Sequence, residues 1–187
     1  MKNKVINIPK PLWKLHGKQA YKQDLIMTYL IAVIVMLVNL KTGNGLVLWK
    51  VIVVAILSID IGGGVVSNFT RGTINYYQES KLSPHLFVWF HLLQTFALAL
   101  IYTDSSFPIS LTMITAMIGA SVAIVFHKTV MQRQISVFFF ALVALMLSLF
   151  PEIPIPANTL TLLMSFKLLV GFSSHYGKYA TTLIENT

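Results

Sequence analysis

The sequence predicts an all-α integral membrane bundle of six transmembrane helices, with the N and C termini in the cytoplasm. Three observations carry this. First, 56% of the 187 residues are hydrophobic and 11% are charged, with mean hydropathy +0.73, whereas soluble domains carry about 25% charged residues. Second, the apolar residues fall in six blocks, most of them close to the roughly 20 residues a helix needs to cross a bilayer. Third, the charges lie between those blocks, so the net charge of +8 reads as a topology signal and not as a nucleic-acid site. The absence of cysteine excludes disulfides, thiolate metal sites and cysteine nucleophiles.

Residues 1–24 form a basic, partly amphipathic N-terminal segment with Lys2, Lys4, Lys10, Lys14, Lys18 and Lys22. No apolar core follows the first lysines, so the segment does not read as a cleavable signal peptide. A segment on the membrane surface, with Trp13 at headgroup level, and a disordered tail are equally expected. A transmembrane domain over 25–183 follows, with spans at about 25–40, 46–67, 84–102, 108–126, 135–150 and 158–176, by hydropathy and turn signals. Gly43-Asn44-Gly45 ends the first span, Pro84 opens the third, and Pro151-Glu152-Ile153-Pro154 stops the fifth. The sixth is expected to continue as an amphipathic end to Leu183. Spans one and five read as short for the bilayer.

With six spans the termini share a side. That side collects eleven basic residues: the six N-terminal lysines, Arg71, Lys81, Lys128, Arg133 and Lys178. The other side has Lys41 and Lys50. The excess of positive charge marks the cytoplasm. The expected location is a bacterial plasma membrane.

Three ionisable residues lie deep inside the spans, away from their ends, and such residues are costly in lipid and usually have a partner or a task. Counted from the ends of their helices, Asp60, His91 and Lys167 lie at one depth, about 10–12 Å at 1.5 Å per residue. Gln94 is one turn from His91. Asp60, Gly64, Ser67 and Asn68 repeat at i, i+4, i+7 and i+8, and Lys167, Gly171, Ser174 and His175 follow the same pattern, so each set forms one helix face. Spans two, three and six are therefore expected to meet around a polar pocket, with Asp60, His91, Gln94, Lys167, Ser67, Asn68 and His175 as ligand-binding or proton-relay candidates. Gly62, Gly63 and Gly64 mark a close helix approach. Three readings of the charges stay open: a structural Asp60–Lys167 pair, a Lys167 that snorkels away, and a functional site. His85, His91, His127 and His175 are weak metal-ligand candidates; no His-x-x-x-His or Glu-x-x-His pair supports them. Arg71–Lys81, with Tyr76 and Tyr77, reads as an interfacial loop with aromatic anchors, or as a place for an anionic headgroup.

Some motifs resemble known families without completing them. Gly119-Ala120-Ser121 and His175 look like parts of a rhomboid intramembrane protease, but Val122 stands where a glycine should follow the serine. Asp60, Ser67, His91 and His175 resemble the zinc site of the alkaline ceramidase and adiponectin-receptor group, whose seven spans and paired last-helix histidines are missing. The vitamin-binding subunits of energy-coupling-factor transporters are similar in length and span number, but Ala32 is alone where they carry Ala-x-x-x-Ala. The sequence assigns no family and no cofactor.

Binding or transport of a small solute or proton is the leading expectation. A structural or accessory subunit is the alternative, and an intramembrane, metal-dependent lipid hydrolase the third. Expected partners are the lipid bilayer, a small solute or lipid headgroup, and another membrane protein or a second copy of the chain.

Overall fold

The computed structural model describes residues 4–80 and 82–177. Six helical segments in it are long and apolar enough to cross a membrane, and the fold is that of a multi-pass membrane protein. Lys2, Lys81, Lys178 and the expected extension to Leu183 lie outside the described residues.

The N-terminal segment is folded, which corrects the expectation of a disordered tail. Strand β1 (Val5–Asn7) pairs antiparallel with β2 (Gln19–Tyr21), placing Val5 opposite Tyr21. Between them a 3-10 turn (Lys10–Leu12) leads into a short helix, α1 (Trp13–His16). The Trp13 indole N–H donates to the Ile8 carbonyl at 2.7 Å and closes the loop on itself.

The first span, α2 (Lys22–Thr42), and the second, α3 (Leu48–Ser67), form a tightly packed hairpin. Gly45 turns it in the left-handed region, φ +85°. Helix α4 (Arg71–Glu79) follows. It is capped by Thr70, whose hydroxyl accepts the Thr73 backbone N–H at 3.4 Å. The third span is two helices, α5 (Pro84–Phe90) and α6 (Leu92–Ile101), broken at His91. A 3-10 turn (Thr103–Ser105) opens the fourth span and runs into α7 (Ser106–Val125), and α8 (Met131–Ser148) is the fifth. The sixth begins as α9 (Ile155–Phe166), widens into a π-helix over Lys167–Phe172, and ends in a 3-10 turn, Ser173–His175.

Spans four and six are the most enclosed, and spans one and five the least. Ile109, Met113, Met117, Leu160, Met164 and Leu168 fill the centre. Leu37, Ile56, Phe96, Val125 and Leu145 stand on the outer surface, an apolar belt that water would not tolerate and lipid does.

Helices one and five are longer than the sequence predicts, at 21 and 18 residues. Hydropathy stops at the first polar residue. Backbone hydrogen bonding continues through Lys22-Gln23-Asp24 and through Gln132-Arg133-Gln134, and the expected shortfall disappears.

The N-terminal cap sits at the bundle end where α4 and the close of the sixth span also lie. The Tyr77 hydroxyl donates to the Lys14 carbonyl at 3.0 Å, and the Thr73 hydroxyl to that of Leu15 at 2.9 Å. At the seam the backbones of Gly17 and Gly72 touch, and a Cβ on either would strike carbonyl atoms of the other segment. Gln78 reaches from α4 to the Gly177 carbonyl at 3.2 Å.

Candidate functional site

The site grows from the glycines of α3. Gly62 and Gly63 face α2 and meet Thr28, Ala32 and Val35, so the two backbones approach closely. Gly64 faces the other way. Its missing side chain leaves the space in which the aliphatic stem of Lys167 lies. The Lys167 ammonium then donates to Asp60 Oδ2 at 3.2 Å. Gln94, from α6, donates its amide N–H to the same oxygen. The lysine is almost fully enclosed, whereas the aspartate keeps 33% of its side-chain surface open.

His91 explains the break in the third span. Its backbone N–H turns to Val88, at 3.2 Å, and to Trp89, not to Phe87, and its ring Nδ1 lies 2.9 Å from the Phe87 carbonyl. The ring thus satisfies a carbonyl that the helix leaves free. A carbonyl only accepts, so Nδ1 carries the hydrogen. In the neutral ring Nε2 is then an acceptor.

The widened turn on the sixth span sets Lys167. Ser173 N–H bonds back to Leu168 O as well as to Leu169 O, the five-residue reach of a π-helix. Asn68 donates to the Lys167 carbonyl at 3.2 Å. Gln132 donates to the carbonyls of Ser173 and Tyr176 at 2.6 and 2.7 Å, closing the end of the span.

Asp60, His91, Gln94, Lys167, Ser67 and Asn68 all line one cavity of about 290 Å³. Tyr77, Phe87, Phe90 and Leu86 supply its apolar wall, and Lys14 and Leu15 of the cap border it. Asp60, Gly64 and Ser67 also border a second cavity, about 250 Å³, shared with His16 and Tyr29. Asp60 therefore stands between two spaces.

His175 does not join this group. The π-helix shifts the phase of everything after it, so the i+8 position no longer shares a face with Lys167. Its ring bonds the Ser174 hydroxyl at 2.7 Å and packs edge-on against Phe69. Ser174 turns back onto the Val170 carbonyl. His127 bonds the Ile124 carbonyl at 2.8 Å and lies against Tyr176. Among the described residues no three His, Asp or Glu side chains gather where a metal would bind, so His85, His91, His127 and His175 are not brought together. Lys167 does not snorkel; its bond to Asp60 excludes that reading.

Sequence reasoning missed Tyr77 and the cap. Within the stretch read as a loop, Arg71–Glu79 is helical, and the signal was available: Thr70 as N-cap, then Thr73, Ile74 and Tyr77 on one face. Burial, then neighbouring Tyr76 and Asp60, push the Tyr77 phenol well above its ordinary value, so it stays a neutral donor to the cap. In the cap itself, burial pushes the His16 imidazole down; its Nε2 lies 3.0 Å from the Tyr29 hydroxyl.

Comparison of this chain with protein-family models, curated proteins and solved structures finds no match.

Proposed function

We propose that this membrane protein binds a small solute or exchanges a proton at the Asp60–Lys167–Gln94–His91 cluster and moves it between the cytoplasm and the membrane interior. The basic residues at the capped end support a cytoplasmic placement for that end and for both termini. One observation carries the binding role. The charged pair is not sealed in protein: Asp60 and the His91 ring both face a cavity large enough for a small molecule.

A second reading has its own support. Asp60 Oδ2 is bonded by both Lys167 and Gln94, as expected of a pair that joins three helices in an accessory subunit. The separated histidines give the hydrolase reading no support.

Asp60→Asn separates the first two. The variant keeps shape and hydrogen-bonding capacity but removes the charge. Small molecules extracted from purified wild-type and variant protein are compared by mass spectrometry, beside a thermal melt. Binding predicts a folded variant that has lost the co-purifying molecule. A folded variant that retains it in full supports the accessory role.

A further inference from the structure

We infer that the ligand of this cavity is a membrane-dissolved amphiphile with an uncharged, hydroxyl-bearing head, entering sideways between α3 and α5. The inference rests on the binding role proposed above and names the ligand class.

The route is set by how the third span leans. Both halves pack on α7; α6 also packs on α3, where Gln94 meets Asp60, but α5 hardly touches α3. On the α5 side of the break at His91 the span therefore stands off α3. The wedge between α3 and α5 is the cavity. Its outer edge carries Leu86 and Phe90, 61% and 64% exposed. Leu86, Phe90 and Gln94 all line it, from the outer surface to the aspartate. A mouth edged by leucine and phenylalanine on the lateral face of a membrane bundle opens to acyl chains.

The head is set by what the polar groups lack. Among the described residues, Asp60 Oδ2 takes both hydrogen bonds and Oδ1 takes none, and Gln94 Oε1 is buried with no partner. His91 is 4% exposed, lines the cavity and uses only Nδ1. Asp60 Oδ1 and His91 Nε2 thus stand open to the cavity, and Gln94 Oε1 is enclosed beside them, where an unpaired buried acceptor costs about 1–3 kcal/mol. Hydroxyl groups satisfy them. Lys167 already balances Asp60, so an ionic head would leave an uncompensated charge. Asp60 also lies seven residues inside the end of α3, about 10 Å from it, a depth that a charged head reaches only by shedding its water.

The probe is a diacylglycerol with a photoreactive acyl chain, in phosphatidylcholine vesicles containing the full-length protein. The expected result is labelling confined to residues 82–94, competed by unlabelled diacylglycerol but not by phosphatidic acid. Gln94→Leu removes an acceptor, and Leu86→Trp narrows the mouth from a lipid-facing position that tolerates it. Each is expected to reduce labelling about tenfold with the melting temperature retained, the scale of one lost hydrogen bond or blocked contact. Labelling spread over the outer surface, unchanged in Leu86→Trp, or equally competed by phosphatidic acid overturns the inference. Competition by free glycerol does so too, because it assigns the same head chemistry to a water-borne ligand. If labelling fails while wild type still retains a soluble molecule that Asp60→Asn loses, only the amphiphile falls. If neither protein retains anything, the binding role falls with it.

Discussion

Lys167 lies along the bare face of Gly64 to reach Asp60, one turn earlier on the same helix, at 3.2 Å. Neighbouring glycines therefore differ in what they tolerate. A Cβ at Gly64 overlaps the lysine stem, whereas at Gly63 it meets Thr28 at an ordinary 3.4 Å. Gly64→Ala is expected to lower stability by about 1–3 kcal/mol through overpacking. Gly63→Ala is expected to be neutral or slightly stabilising, because alanine is the better helix former. Thermal melts of the two proteins in one detergent check this; equal behaviour contradicts the assigned faces.

Removing one partner of the pair differs from removing both. Lys167→Met leaves a carboxylate without its cation, at a cost of about 3 kcal/mol, the low end for a broken buried pair. The low end applies because Asp60 keeps 33% of its side chain open to the cavity. Asp60→Asn combined with Lys167→Met is expected to recover most of that loss. A double variant as unstable as the single one shows that packing of the lysine stem, and not charge, holds the helices.

The cap depends on a backbone contact with no room for a side chain. Gly72→Ala drives a Cβ into the carbonyls of His16 and Gln19. The expected outcome is release of the cap with the spans intact, read as tryptic cleavage at Lys14 and Lys18 at least about tenfold faster than in wild type. Unchanged cleavage means the cap is held mainly by Tyr77 and Thr73.

Cap docking should also respond to acid. His16 has its folded value below the ordinary 6.5 because burial disfavours the imidazolium. The undocked segment therefore binds more protons than the docked one. Docking is at full strength above about 6.5 and weakens as pH falls from there toward the lowered folded value. Tryptic protection of Lys14 and Lys18 measured against pH checks this, and His16→Gln should flatten the profile.

Because the chain has no cysteine, single introduced cysteines report orientation without background. Asn44→Cys, in the turn between spans one and two, is expected to react with an impermeant maleimide added to intact cells. Lys18→Cys, in the cap, is expected to react only after permeabilisation. The reverse pattern overturns the cytoplasmic placement.

The sequence reveals the spans because their signal is local: unbroken apolar runs between charges. The meeting of Asp60, His91, Gln94 and Lys167 was also legible, since distance from a helix end fixes depth. Azimuth was less so. Face arguments assume 3.6 residues per turn, and that held for α3, where Asp60, Gly64, Ser67 and Asn68 share the cavity. It failed for His175, because a π-helix has no marker in Lys167-Leu168-Leu169-Val170-Gly171-Phe172. The cap was hidden for another reason. Residues 5–21 have almost no periodicity of their own and fold against α4 through backbone contacts that composition does not encode.

The wide turn at Lys167–Phe172 holds one residue more than an ordinary α-helix would. Deleting Leu169 would let the segment close into an α-helix with the charge content unchanged. The Ser173 N–H, which reaches back five residues to Leu168, would then reach back four, so the helix end would keep its place. Ser173 would stay beside Ser136, and Gln132 would keep the carbonyls of Ser173 and Tyr176. The same deletion in α9, which has no spare residue, would turn everything beyond it by about 100°. The end of the sixth span thus works like a slack link that takes up one residue, and a single-codon deletion is expected to be tolerated there and to misalign the helix end a turn or two earlier.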